Sequence, residues 1–264
     1  MKRNKILNNF LSAIIASCAT SAFSAPPHFD HGEQATWWAI EDTSQEVPLR
    51  FPFAECGVGQ HQSPVDLGSA IIGETQLNPM EILYPIDTKP VFFNTGHAAQ
   101  VNTSTNYPGA LKIGEESFPL IQLHFHEPSE HVVGATRFPA ELHYVHVKED
   151  GRLVVLAVAI NIGEENSTFQ TILDNTPHAS GEKNENSGLQ FNPAALLPTL
   201  DQPIKYFTLA GSLTTPPCSE GVQWYILPRA ITISEAQLNQ LKSFYTDNNR
   251  LPQNLNGRSL LTTQ

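Results

Sequence analysis

The sequence predicts a mainly β, single-domain fold: a large sheet with a few short helices at its edges. Three observations carry that expectation. Segments 80–86, 91–93, 98–103, 109–113 and 117–123 are short, rich in β-forming residues and separated by Gly, Pro or Asn. The run from Leu153 to Ile162 is almost wholly apolar, the pattern of a central strand covered on both faces. Segments 204–213 and 222–227 read likewise, and helical periodicity is confined to brief stretches. The 264 residues show no linker-like shift in composition and no repeat, and a hydrophobic fraction of 40% suits one packed core.

In chain order, Lys2, Arg3 and Lys5 precede a short apolar run from Phe10 to Ala16, and Ala22-Phe23-Ser24 places small residues where a signal peptidase reads. Residues 1–24 are therefore expected to be a secretory leader, with the mature domain at 25–264. An alternative is lipidation: Ile15-Ala16-Ser17-Cys18 resembles a bacterial lipobox, and a lipid on Cys18 would tether the chain to a membrane. Residues 25–55 read as an irregular arm whose rings Trp37, Trp38, Phe51 and Phe53 pack onto the domain. Residues 56–67 read as a Gly-rich turn entering an extended segment; with no helix pattern after Gly57 and Gly59, they are not a phosphate loop. Asn166 or Ser167 caps a short helix carrying Phe169, Ile172 and Leu173, and Asn192-Pro193 opens a helical turn. Ser234 and Gln237 form a capping box for a helix with Leu238 and Leu241 on its apolar stripe. Residues 180–189 read as a polar surface loop.

The chain has 15 basic and 26 acidic residues, a net charge of −11. Losing the leader's three positive charges takes it to −14, which argues against nucleic acid or an anionic membrane surface as a partner. Without Cys18 only Cys56 and Cys218 remain, and two cysteines in an exported chain point to one disulfide across a very long loop. Two unpaired thiols are the other possibility that spacing leaves open.

The chemistry centres on Gln122 to His146. In one segment Gln122, His124 and His126 alternate with Leu123 and Phe125; in the next Glu141, His143 and Val145 alternate with Leu142, Tyr144 and His146. Strand side chains point to opposite faces with period two. Laid side by side, the two strands bring His124, His126 and His143 to one point, three nitrogen ligands with a fourth position open. Gln122 and Glu141, each two residues before a candidate ligand, are placed to accept the rings' other N–H groups. They read equally well as polar residues on a solvated face. Gly211-Ser212-Leu213-Thr214-Thr215-Pro216-Pro217-Cys218 is a rigid turn presenting two hydroxyls.

Taken together, Q-x-H-x-H at 122–126, S-E-H at 129–131, E-L-H at 141–143 and G-S-L-T-T-P-P-C-S-E-G-V at 211–222 resemble an α-class carbonic anhydrase of the bacterial, exported kind. N-x-G-H-A at 94–98 and Q-S-P-V at 62–65 support the resemblance, which runs from about Cys56 to Arg258. It implies a twisted, mostly antiparallel sheet of about ten strands with Zn2+ at the base of a cone. It also implies a lyase (carbonate dehydratase) acting on carbon dioxide and bicarbonate, periplasmic or secreted, monomeric or homodimeric. His124, His126 and His143 match the zinc ligands, and Gln122 and Glu141 the groups that orient them. Thr214 matches the threonine that accepts a hydrogen bond from the nucleophile, Glu130 the carboxylate that fixes its proton, and His97 the proton shuttle. Thr215 matches a polar group near the bound anion. Val145, Val155, Leu213, Val222 and Trp224 match the apolar wall for carbon dioxide, and Cys56 and Cys218 a disulfide of secreted members.

The chain departs from the family pattern at Trp38-Ala39-Ile40, which stands where W-G-Y is usual and removes the tyrosine that borders the proton path. Thr95 stands where Asn often precedes Gly-His. Both changes bear on proton transfer, not on the metal site. Two rival readings remain. In a cupin-type metal enzyme, His124-x-His126-x-x-x-Glu130 with Gly134 following would make Glu130 a ligand, but residues 140–150 lack the second cupin motif. A non-catalytic zinc-binding exported domain is the other.

Overall fold

Apolar residues at both parities of a strand leave neither face fit for water, so such a strand has to be sandwiched. Leu153–Ile162 meets that requirement at the centre of the sheet. The computed structural model describes residues 27–69, 72–74, 76–134, 136–185 and 188–263. The expected leader at 1–24, including Cys18, lies outside the described residues.

The first strands are β1 (Ile72–Glu74), β2 (Met80–Leu83), β3 (Val91–Asn94), β4 (Ala99–Asn102), β5 (Ala110–Ile113) and the long β6 (Glu116–His126). Two-residue strands β7 (Val132–Val133) and β8 (Thr136–Arg137) form a separate two-stranded sheet. Then come β9 (Ala140–Val147), β10 (Leu153–Ile162), β11 (Lys183–Asn184), β12 (Phe207–Ser212), β13 (Glu220–Ile226), β14 (Ile231–Ile233) and β15 (Leu260–Thr262). Ten of them run in the order β1-β15-β12-β13-β10-β9-β6-β4-β3-β11; β14 joins at β10, and β2 and β5 join through β6. Among the described strands, β10 pairs in parallel with β13 and β14, and β1 with β15. The mostly antiparallel sheet of about ten strands is thus present.

The sheet buries different things on its two faces. On one, Leu123, Phe125, Leu142, Tyr144, Leu156 and Val158 pack beneath helices α2 (Ser167–Asn175) and α3 (Glu235–Lys242). On the other, Val145, Val155, Leu209, Val222 and Trp224 form a smaller cluster with Val65. The helices start where the sequence places them. The Asn166 side chain accepts from the N–H groups of Thr168 and Phe169, and Ser234 and Gln237 exchange both capping-box bonds.

Three local expectations change. Stretch 180–189 is not only loop: Lys183 and Asn184 form β11 against Phe93 and Phe92, too short and polar to leave a period-two signal. The Gly-rich turn begins with a helical turn, α1 (Glu55–Val58). The arm divides its rings: Trp37 and Phe53 are buried, whereas Trp38 is 50% exposed. Cys56 and Cys218 are disulfide-bonded across a sequence separation of 162, a closure that the chain-entropy account values at about 5 kcal/mol.

β9 also carries a histidine on its helix-facing side. His146 is fully buried; its Nδ1–H donates to the Val154 carbonyl at 3.2 Å, so Nε2 accepts the Tyr84 hydroxyl proton at 2.7 Å. Burial pushes its pKa from 6.5 down to about 3, against the raising effect of its backbone partners. Below pH ~6.5 the unfolded ring takes up a proton that the native ring refuses. This stabilisation is therefore complete above that pH and is lost as pH falls toward about 3. Urea midpoints measured from pH 7 to pH 4 should fall in the wild type and fall less steeply in His146→Gln.

Candidate metal centre

Cross-strand register decides which side chains meet. In the β6–β9 ladder His124 lies opposite His143, Gln122 opposite Val145 and His126 opposite Glu141. Period two then puts all of them on the face away from the helices, as the alternation predicts. The imidazole centroids are 5.0 Å (His124–His126), 5.2 Å (His124–His143) and 4.7 Å (His126–His143) apart. Nε2 of His124 is 3.1 Å from Nε2 of His126. Two nitrogen ligands of a tetrahedral zinc lie about 3.3 Å apart at ordinary Zn–N lengths, so the pair is correctly spaced.

Each ring commits its far nitrogen to an acceptor. His124 Nδ1 donates to Gln122 Oε1 at 2.8 Å, His126 Nδ1 to the Asn248 carbonyl at 2.9 Å, and His143 Nε2 to Glu141 Oε1 at 2.8 Å. A neutral imidazole that donates at one nitrogen offers a lone pair at the other. The free atoms are then Nε2, Nε2 and Nδ1 of one cluster, all within 4.8 Å of one another. Burial keeps His124 and His126 neutral: it pushes both pKa values below 6.5, reinforced by the neighbouring imidazoles and opposed by Glu141 and Glu130. Three neutral nitrogen donors converging on one point fit zinc.

Glu141 is a hub. Its Oε1 also takes a hydrogen bond from His131 Nδ1 at 2.7 Å, and its Oε2 accepts the backbone N–H groups of Glu130 and His131 at 2.9 and 2.8 Å. Burial works to raise its pKa, but the electrostatic interactions and hydrogen bonds it takes from His131 and His143 win and hold the carboxyl well below the usual range. A second potential ligand set, His131, Glu141 and His143, shares these atoms. A metal there would displace the two hydrogen bonds that fill Glu141 Oε1, which favours the three-histidine set.

Around it the structure gathers the other sequence candidates. Val145, Val155, Val222 and Trp224 are buried in one cluster, with Leu213 packed against it at its edge. The Trp224 ring lies 4.9 Å from that of His143. Thr215 begins the turn that the Cys218 N–H closes on its carbonyl at 2.9 Å. Glu130 is fully buried, and its Oε1 accepts the Arg250 N–H at 2.8 Å. Its Oε2 lies 3.9 Å from His143 Nδ1 and has no hydrogen-bond partner among the described residues. The Thr214–Glu130 hydrogen bond that the resemblance implies is therefore not formed in this structure, although Thr214 is buried beside the cluster. Half-buried His97 stands at the turn after β3, where Gly96 takes φ +85 and Thr95 Oγ1 accepts the His97 N–H at 3.1 Å.

Sequence reading missed three contributors. Asn248 orients His126 through its carbonyl, while its side-chain amide donates to the carbonyls of His97 at 2.7 Å and Phe125 at 3.0 Å. Arg250 is buried and donates to Gln62 Oε1 at 2.8 Å, to the Ser63 carbonyl at 2.9 Å and to the Cys56 carbonyl at 3.1 Å. Only the polar run Asp247-Asn248-Asn249-Arg250 hinted at either. The third is the arm: Phe29 stacks on His97 with centroids 4.2 Å apart and planes at 11°. The arm residues bordering His97 are thus His28 to His31, not Trp38-Ala39-Ile40; Trp38 instead packs against Gly57.

The profile described as Eukaryotic-type carbonic anhydrase matches residues 47–264. The chain belongs to the α-class carbonic anhydrase family. A carbonic anhydrase of Pectobacterium atrosepticum is 33% identical, covering 95% of this chain and 97% of its own. One from Neisseria gonorrhoeae is 34% identical, covering 95% and 96%. Among solved structures, the Photobacterium profundum α-carbonic anhydrase superposes with a TM-score of 0.72 at 36% identity, over 79% of this chain and 92% of that one. A carbonic anhydrase fold does not favour the cupin reading, and the site agrees: Glu130 belongs to neither potential ligand set. Because Glu141 fixes the tautomer of His143, Glu141→Ala should weaken zinc binding by about 10- to 100-fold in a chelator competition.

Proposed function

We propose that this carbonic anhydrase interconverts carbon dioxide and bicarbonate with zinc held by His124, His126 and His143. The observation carrying this reading is the tautomer set: two buried acceptors and the half-buried Gln122 hold three far nitrogens and leave three lone pairs facing one point. Zinc held there supplies a coordinated water of pKa about 7, a value known for carbonic anhydrases as a class.

The chain's own residues then divide the work. Carbon dioxide is apolar, and Val145, Val155, Leu213, Val222 and Trp224 give it a wall with which water competes poorly. Thr214 has one proton to donate. Glu130 Oε2, a buried acceptor without a hydrogen bond among the described residues, is where that proton belongs. With it so placed, the Thr214 lone pairs face the cone and orient the attacking oxygen. Thr215 lines the same turn and faces the bicarbonate product. Each hydration leaves one proton behind, and His97 carries it out; burial, with His28 opposing and Asp30 assisting the charged form, sets its pKa below 6.5.

The domain is read as exported to the periplasm or beyond, its leader ending at Ser24, as a monomer or homodimer. The Cys56–Cys218 disulfide supports that compartment. No helix among the described residues is long and apolar enough to cross a membrane.

Metal analysis paired with a hydration assay tests the reading. His143→Ala should lose both zinc and activity; retention of full zinc and full rate would refute it. Thr214→Val, which keeps the shape but not the hydroxyl, should keep zinc and lower kcat/KM by about 100-fold.

A further inference from the structure

The arm places one more imidazole at the mouth of the centre. His31 is part-buried, and its Nε2 is wholly buried with no hydrogen-bond partner among the described residues. Its ring centroid lies 5.7 Å from that of His97. His126, Glu130, His97 and Asp30 are the ionisable groups whose charges act on it. The placement is built, not accidental. Trp37 packs on His31 at 5.5 Å and donates from Nε1 to the Asp30 carbonyl at 2.7 Å. Gln34 accepts the Leu251 N–H at 2.6 Å and donates to the Asn249 carbonyl at 3.3 Å, tying the arm to the segment that orients His126.

A buried polar nitrogen without a protein partner calls for a water. We propose that His31 is a relay group for proton transfer: its Nε2 holds a water on the route from the three-histidine centre to His97. Its pKa, pushed down to about 4 by burial first and by His126 and His97 next, leaves the ring neutral at working pH. Nε2 accepts a proton from that water as the Nδ1–H is released toward His97, so one proton advances, and proton exchange with solvent restores the starting tautomer before the next turnover. His31 thus occupies the border that the usual N-terminal tyrosine would hold. The inference rests on the proposed roles of the metal centre and His97.

Two measurements test it. In crystals of the metal-free protein, a water should lie within hydrogen-bond distance of His31 Nε2; a dry or protein-bonded Nε2 overturns the proposal. In the zinc enzyme, 18O exchange separates carbon dioxide interconversion from release of labelled water, which consumes a proton. His31→Phe should slow water release on the order of tenfold and leave interconversion unchanged, with recovery in concentrated imidazole buffer. His31→Gln, which keeps polarity and volume but not the ring's proton exchange, should retain the water and remain slow. Equal losses in both rates mark a structural role and overturn the relay. A loss in His97→Ala without one in His31→Phe overturns it too, and leaves the reading of His97 standing. If the wild type binds zinc yet hydrates no carbon dioxide, the functional reading itself falls, and the relay with it.

Discussion

The pairing of His124 with His143 across β6 and β9 is the constraint on which the rest depends. A slip of one residue would turn every side chain of one strand to the other face, sending histidines into the apolar layer under α2. The layer resists that exchange: Leu123, Phe125, Leu142 and Tyr144 are fully buried among the helices. Hydrophobic burial on one face therefore fixes the geometry of a polar site on the other. Hydrogen bonds complete the work at close range, since each ligand ring is turned by an acceptor from a different place: its own strand for His124 and His143, a distant loop for His126.

Much of this was legible in the chain because strands write their faces in a period of two. Gln122, His124, His126, Glu141 and His143 could be assigned to one face before any coordinates. The apolar run 153–162 announced the central strand, and the capping residues Asn166 and Ser234 announced their helices. What stayed hidden has no period. Asn248 acts mainly through a backbone carbonyl, which any residue possesses, and Arg250 bonds carbonyls from segments nearly two hundred residues away. The arm lacks regular alternation, so its register against the site could not be read. The W-G-Y comparison settled on Trp38, whereas packing selects Trp37 as the buried anchor and brings His31 forward.

The turn carrying Thr214 shows how distant blocks of the sequence become one device. Ser63 and Ser212 exchange hydrogen bonds, the Ser63 N–H to Ser212 Oγ at 2.9 Å and the Ser212 N–H to Ser63 Oγ at 3.2 Å. Between them Gly211 leaves no space: a Cβ there would meet Ser63 Oγ at 2.1 Å and Trp224 Cδ1 at 2.8 Å. Gln62 reaches on to the Cys218 carbonyl at 3.0 Å, beside the disulfide. The Q-S-P-V and G-S-L-T-T-P-P-C blocks are thus two halves of one clamp, which explains why neither has a sense in isolation.

Arg250 joins this clamp to the metal end. Burying a guanidinium without a carboxylate hydrogen-bonded to it is costly, and burial lowers its pKa to about 10 while Glu130 opposes the shift. The cost is offset by carbonyl acceptors from Cys56 and Ser63, by the Gln62 amide oxygen, and by the Trp37 ring 5.9 Å away. The same residue's N–H holds Glu130 Oε1, which leaves Oε2 as the oxygen available to Thr214. One side chain thus braces the disulfide-bearing segment while its own backbone aims the carboxylate. Arm, clamp and carboxylate are therefore mechanically one unit, and the position of Glu130 beside the three histidines depends on residues far from it in sequence.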